Sequence, residues 1–164
     1  RFLFCLADKG VFEPIWSEKI FEEWSFVTAK KEPGCVDLVN IERLLLNAKW
    51  PQACVQSNIE LEKNIYLPDV NDRHILVTAV VANSTIILTQ NIKDFPRKIL
   101  KEYGVYAKTP DSFFMEELFK NQIEITRLVK KVCDEFIEET STTLSGKRIL
   151  KSALLFGLAK EVYS

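Results

Sequence analysis

The chain has 164 residues, enough for one sizeable domain or one domain with a helical appendage. With 22 basic against 23 acidic residues the net charge is −1, so bulk charge gives no argument for nucleic acid and leaves only a local basic patch. The 47% hydrophobic and 27% charged content is that of an ordinary globular protein, no apolar stretch approaches the ~20 residues of a membrane span, and four scattered cysteines without a C-x-x-C pair argue against structural zinc and for thiols in a reducing cytoplasm.

Residues 1–12, RFLFCLADKGVF, read as the end of a helix, with Leu3, Leu6 and Ala7 on one side and Gly10 as its C-terminal cap. FEPIW (12–16) is short and apolar enough for a strand, and Pro14 confines it to an edge or a strand start. Ser17 is placed to cap a helix through SEKIFEEWSFVTA, with Glu18 in its first turn. KKEPG breaks that helix, and CVDLVNIERLLLNAKW forms a second amphipathic one, stopped by Pro51. WPQACVQSNIELEKNIYLPDV reads as a loop with short extended pieces.

NDRHILVTAVVANS (71–84) predicts a helix apolar nearly all round, hence buried on more than one side. TIILT is a buried strand, FPRKILKEYG a helix ended by Gly104, and VYAK a further short strand. Helix, strand, helix, strand with short links predicts βαβ units and a parallel sheet. Beyond residue 109 there is no strand signal; two or three helices follow, broken at TSTTLSGK, with Thr109 or Asp111 capping the first.

Three places carry acids that the local pattern does not ask for. Glu23 lies between Ile20 and Val27 at helical spacing, so it is expected to point with the apolar stripe Ile20, Phe21, Trp24 and Val27. An acid there must be paired, protonated or cation-bound, although a boundary glutamate reaching a lysine is the plain alternative. In LPDVNDRH, Asp72 is an N-cap and Asp69 a turn residue by default, yet Asp72 also stands where α/β folds place ligands. In TIILTQNIKDFP, Asn91 and Asp94 are default turn residues, to which Thr89 adds a hydroxyl at the strand end. Several acids delivered to one sheet edge would repel each other and demand a divalent cation. Oxygen ligands without His or Cys point to Mg²⁺ or Mn²⁺ rather than zinc.

His74 is the sole histidine and reads as structural. The absence of a G-x-S-x-G elbow disfavours a serine hydrolase, and the five glycines include no phosphate-binding loop. A phosphatase would need a nucleophilic Asp at a strand end followed by a suitable loop, and neither is visible.

WSEKIFEEW, LPDVNDRHILVTAV and TIILTQNIKDFP, in that order, resemble the PIN-domain family, in its branch of bacterial VapC-like toxins with a C-terminal helical extension. The resemblance covers about residues 1–114 and includes VYAKTPDSFF as the last strand and following helix start. It implies a three-layer α/β fold with a parallel central sheet, a PIN-like domain over 1–114, and a helical extension over 115–164. It also implies a metal-dependent endoribonuclease whose acids are Glu23, Asp72 and Asp94, with Asn91 as a further ligand and Thr89 and Asp69 in support. Mg²⁺ or Mn²⁺ is the implied cofactor, RNA the substrate and a small antitoxin protein the partner, with a homodimer as a further possibility and no membrane. Lys93, Arg97, Lys98 and Lys101 are the candidate phosphate contacts, an exposed helix face being the bland reading.

The family's first strand, with its aspartate, has no counterpart here, because Arg1–Ala7 already match the helix that follows it. We therefore expect residues upstream of Arg1 in the natural protein, and low activity from the chain as written. A catalytically degenerate PIN domain that binds RNA or protein without cutting is the alternative reading.

Overall fold

The computed structural model describes residues 2–31 and 33–164. The helices before the first strand are α1 (Phe2–Asp8), α2 (Glu18–Lys31), α3 (Val36–Lys49), α4 (Ile59–Asn64) and α5 (Arg73–Val81). Strand β1 (Ile86–Leu88), α6 (Arg97–Glu102) and β2 (Tyr106–Lys108) follow. The chain closes with α7 (Pro110–Lys120), α8 (Gln122–Thr140), α9 (Gly146–Ser152) and α10 (Phe156–Val162). β1 and β2 pair as a two-stranded sheet. The Tyr106 N–H donates to the Thr85 carbonyl (2.8 Å) and the Thr89 N–H to the Lys108 carbonyl (2.9 Å), so both strands run the same way. The expected α/β class with a parallel pair is therefore present, within a helix-rich chain.

The chain divides into two compact units. One comprises Pro14–Ile87 and Asn91–Ala107. Its core gathers Ile65, Leu67, Leu76, Val77, Ala79, Ile87, Phe95, Leu100 and Val105. Helix α5 supplies the centre: His74, Leu76, Val77, Thr78 and Ala79 are all buried, as an all-round apolar helix requires. Gly104, at φ +70°, ends α6 in a left-handed turn that leads into β2.

Three local expectations change in this unit. FEPIW forms no strand; Trp16 makes only an isolated parallel bridge with Cys54, as Pro14 withholds a backbone donor just before it. Ser17 sits before α2, but its Oγ is buried without a hydrogen-bond partner and caps nothing. The stretch expected to be loop holds α4, whose first turn is capped by Asn58 Oδ1 accepting from the Leu61 N–H (2.9 Å).

The other unit comprises Arg1–Glu13, Leu88–Gln90 and Lys108–Ser164. Phe2 packs edge-on against Phe136 of α8, and Phe12 against Phe113 and Phe114 of α7. Thr109 caps α7 through Oγ1, which accepts from the Ser112 N–H (3.1 Å). Asp111 has a different task. Its carboxylate accepts from the N–H groups of Gly157 (2.8 Å) and Leu158 (3.0 Å), closing the start of α10. Gly157 gives it room, since a Cβ there would lie 3.0 Å from Asp111 Oδ2. Four helices follow β2 rather than two or three, because the break expected at TSTTLSGK is joined by one at Asn121, which caps α8, and another near Leu154, at φ +61°.

Because Asp111 satisfies two backbone donors of α10 with charge-assisted bonds, Asp111→Ala should lower stability by about 1–2 kcal/mol. Urea unfolding measures this; an unchanged midpoint would show that the cap contributes nothing.

Candidate metal centre

The candidate site lies within the unit formed by residues 14–87 and 91–107. It is built where α5 begins. Buried Ile65 and Leu67 bring the chain across the core, and Pro68 leads to Asp69. Asp69 Oδ1 accepts from the Asn71 N–H (2.8 Å), folding residues 70–72 into a single 3₁₀ turn. Asp72 then takes the N-cap position of α5, yet its side chain makes no capping bond. The default reading of Asp72 as a simple cap is thus corrected: the turn is held by Asp69, and the Asp72 carboxylate is left for other contacts.

Asp94 arrives from the segment after β1. Residues 92–94 form a 3₁₀ turn, and Phe95, which follows at once, is buried in the core. The Asn91 side-chain amide donates to Asp94 Oδ2 and so orients that carboxylate. The result is a group of three acids, Asp69, Asp72 and Asp94, whose ligand oxygens all lie within 4.8 Å of one another. Asp72 and Asp94 are half-buried and Asp69 is exposed.

The electrostatics follow from that crowding. The Asp72 carboxyl is pushed above its ordinary value, first by burial and then by the negative charges of Asp69, Asp94 and Glu23; His74 acts in the opposite direction. Hard oxygen donors that repel one another when empty suit a divalent cation such as Mg²⁺ or Mn²⁺, and the residues present fit such an ion.

Glu23 departs from expectation. Of its helix stripe only Phe21 is buried; Ile20 and Trp24 are half-buried and Val27 is exposed. The Glu23 side chain is itself 46% exposed, so burial is not what makes it unusual. Helical spacing gives the face a residue shares, but not how far its neighbours cover that face. The carboxylate nevertheless reaches inward: Oε1 stands 2.9 Å from Nε2 of buried His74. His74, read from sequence as structural, thus contacts one of the candidate acids. The signal available was its place two residues after Asp72, but its partner lies far off in the chain.

Among the remaining expected residues, Lys93, Arg97, Lys98 and Lys101 are exposed on the turn before α6 and on α6 itself. Thr89 belongs to the other compact unit, where its backbone pairs with Lys108.

A family model of the PIN domain matches residues 1–93, more than half of the chain. The chain belongs to the PIN-domain family. The PIN match takes in Glu23, Asp69, Asp72 and Asn91 and stops one residue short of Asp94. "Putative ribonuclease VapC50" of Mycobacterium tuberculosis (strain ATCC 25618 / H37Rv) is 32% identical over 71 residues, covering 43% of this chain and 42% of that protein. The similarity therefore spans less than half the length of that relative. No solved structure matches.

A raised folded-state pKa means that the native state holds the Asp72 proton more tightly than the unfolded chain does. The stability this confers is complete below the ordinary value of 3.8 and is lost as pH rises through the folded value. In EDTA, Asp72→Asn should match the wild type in urea midpoint below that pH and exceed it above. Parallel pH profiles for the two proteins would contradict the crowding described here.

Proposed function

We propose that this PIN domain is a divalent-metal-dependent endoribonuclease, the toxin component of a toxin–antitoxin pair. The observation that carries the reading is the convergence of Asp69, Asp72 and Asp94 within 4.8 Å, with Glu23 close enough to raise the proton affinity of Asp72. These four residues would hold Mg²⁺ or Mn²⁺. Once bound, the cation would neutralise charge developing on a scissile phosphodiester and acidify an attacking water.

The protein's own groups have separable roles in this reading. Asp69 fixes the turn that presents Asp72. Asn91 holds Asp94 in one orientation. Lys93, Arg97 and Lys98 offer cationic side chains for the RNA backbone, where phosphate contacts position the substrate without reading its sequence. The name of the VapC50 relative supports ribonuclease chemistry, and the family supports an antitoxin protein as the partner that blocks the site.

Cleavage of single-stranded or transfer RNA in Mg²⁺ should fall about 10²–10³-fold in Asp72→Asn and in Asp94→Asn. Metal-dependent cleavage that survives alanine at both positions would refute the assignment. RNA binding without cleavage in the wild type would move the chain to the non-catalytic binding reading.

Replacing Lys93, Arg97 and Lys98 together by alanine should flatten the dependence of log affinity on log salt by about 2, the share of three phosphate contacts on a single strand. Fluorescence anisotropy across a salt series measures that slope. An unaltered slope would remove these residues from the RNA path.

A further inference from the structure

His74 is 2% exposed, in the first turn of α5, and its backbone carbonyl accepts from Thr78 Oγ1 (2.7 Å). Its ring is harder to explain. Neither Nδ1 nor Nε2 makes an aligned hydrogen bond, although both are buried. Two orphaned nitrogens are an unfavourable way to fill a core position that leucine or phenylalanine would fill without polar atoms. The exception to the isolation is Glu23 Oε1, 2.9 Å from Nε2 and off the line of a straight bond. Bonds of this kind are often loose in the empty state of a site and tighten when it is loaded.

Glu23 needs such a tether. A half-exposed glutamate has three side-chain torsions and samples several rotamers in solvent. Asp69, Asp72 and Asp94 are set by tight turns close to buried core residues, whereas Glu23 comes from the middle of α2 with nothing comparable to fix it. We propose that His74 is a positioning residue, whose Nε2 holds the Glu23 carboxylate toward the acidic group. The proposal rests on the metal-centre reading above. An imidazole N–H at Nε2 can donate a hydrogen bond to the carboxylate and satisfy it.

The test is Mn²⁺ affinity measured by calorimetry on the full chain. His74→Leu should weaken Mn²⁺ binding about 10–100-fold, while His74→Gln, which keeps a donor near the Nε2 position, should restore most of it. Glu23→Gln should weaken binding as well, and adding His74→Leu to it should have little further effect, since the histidine acts through the glutamate. Wild-type affinity in His74→Leu, or fully additive losses, would overturn the positioning role and leave the metal centre standing. Absence of Mn²⁺ binding by the wild type would overturn the metal-centre reading and the positioning role with it.

A second measurement guards against a variant that fails to fold. In the metal-free protein, the imidazole ¹⁵N resonances of His74 should shift when exposed Glu23 is changed to Gln. Unmoved resonances would mean that the contact is not formed and would equally overturn the proposal.

Discussion

Everything at the candidate site depends on the burial of one short helix. Helix α5 is apolar on every side, with Leu76 and Val77 almost fully excluded from water, each contributing about 1.5–3 kcal/mol of transfer free energy. Such a helix needs neighbours on more than one side, and in α5 only Val81, at its end, is exposed. The core around it draws Ile65 and Leu67 from the segment before it, Ile87 from β1, and Phe95, Leu100 and Val105 from the segment after. Its one polar residue beyond the first turn, Thr78, turns its hydroxyl back to the His74 carbonyl, and the charged residues collect at its beginning. A hydrophobic demand therefore sets where Asp69, Asp72 and His74 stand, and the Asp69–Asn71 turn refines it.

Much of this was legible in the sequence. The 3.6-residue period marked α2, α3 and α5, the apolar run marked β1, and Gly104 marked the end of α6. What escaped had a common cause: its partner lay elsewhere in the chain. Periodicity placed Glu23 on the stripe of Phe21 and Trp24 but could not say that Val27 would be left exposed. His74 looked like filler because nothing near it in sequence is a carboxylate aimed at its ring. Asp111 looked like a cap for the helix it starts, whereas the donors it satisfies belong to Gly157 and Leu158. The α4 helix was a different failure: it is a short helix, capped by Asn58, within a stretch whose pattern is irregular.

The site also illustrates a conflict between local stability and use. Three carboxylates share one small volume, and Asp72 is raised in proton affinity by burial and by its acidic neighbours. Mutual repulsion of these carboxylates opposes folding, and the apolar core beneath them outweighs it. Sequences that obey local rules nearly everywhere tend to break them where something must bind.

The spacing of these acids along the chain has a further bearing on how the protein is made. Asp69, Asp72 and Asp94 lie within one uninterrupted stretch, residues 65–105, that also contains α5, β1 and the buried core around them. Contacts of short sequence separation form early and quickly. Because the chain is made from its N-terminus, this stretch leaves the ribosome ahead of α7 to α10 and can gather its three carboxylates without them. Glu23 waits ahead of it on a helix already translated and joins when α2 docks. The acidic group would thus assemble in two steps, a local trio first and a distant fourth member later.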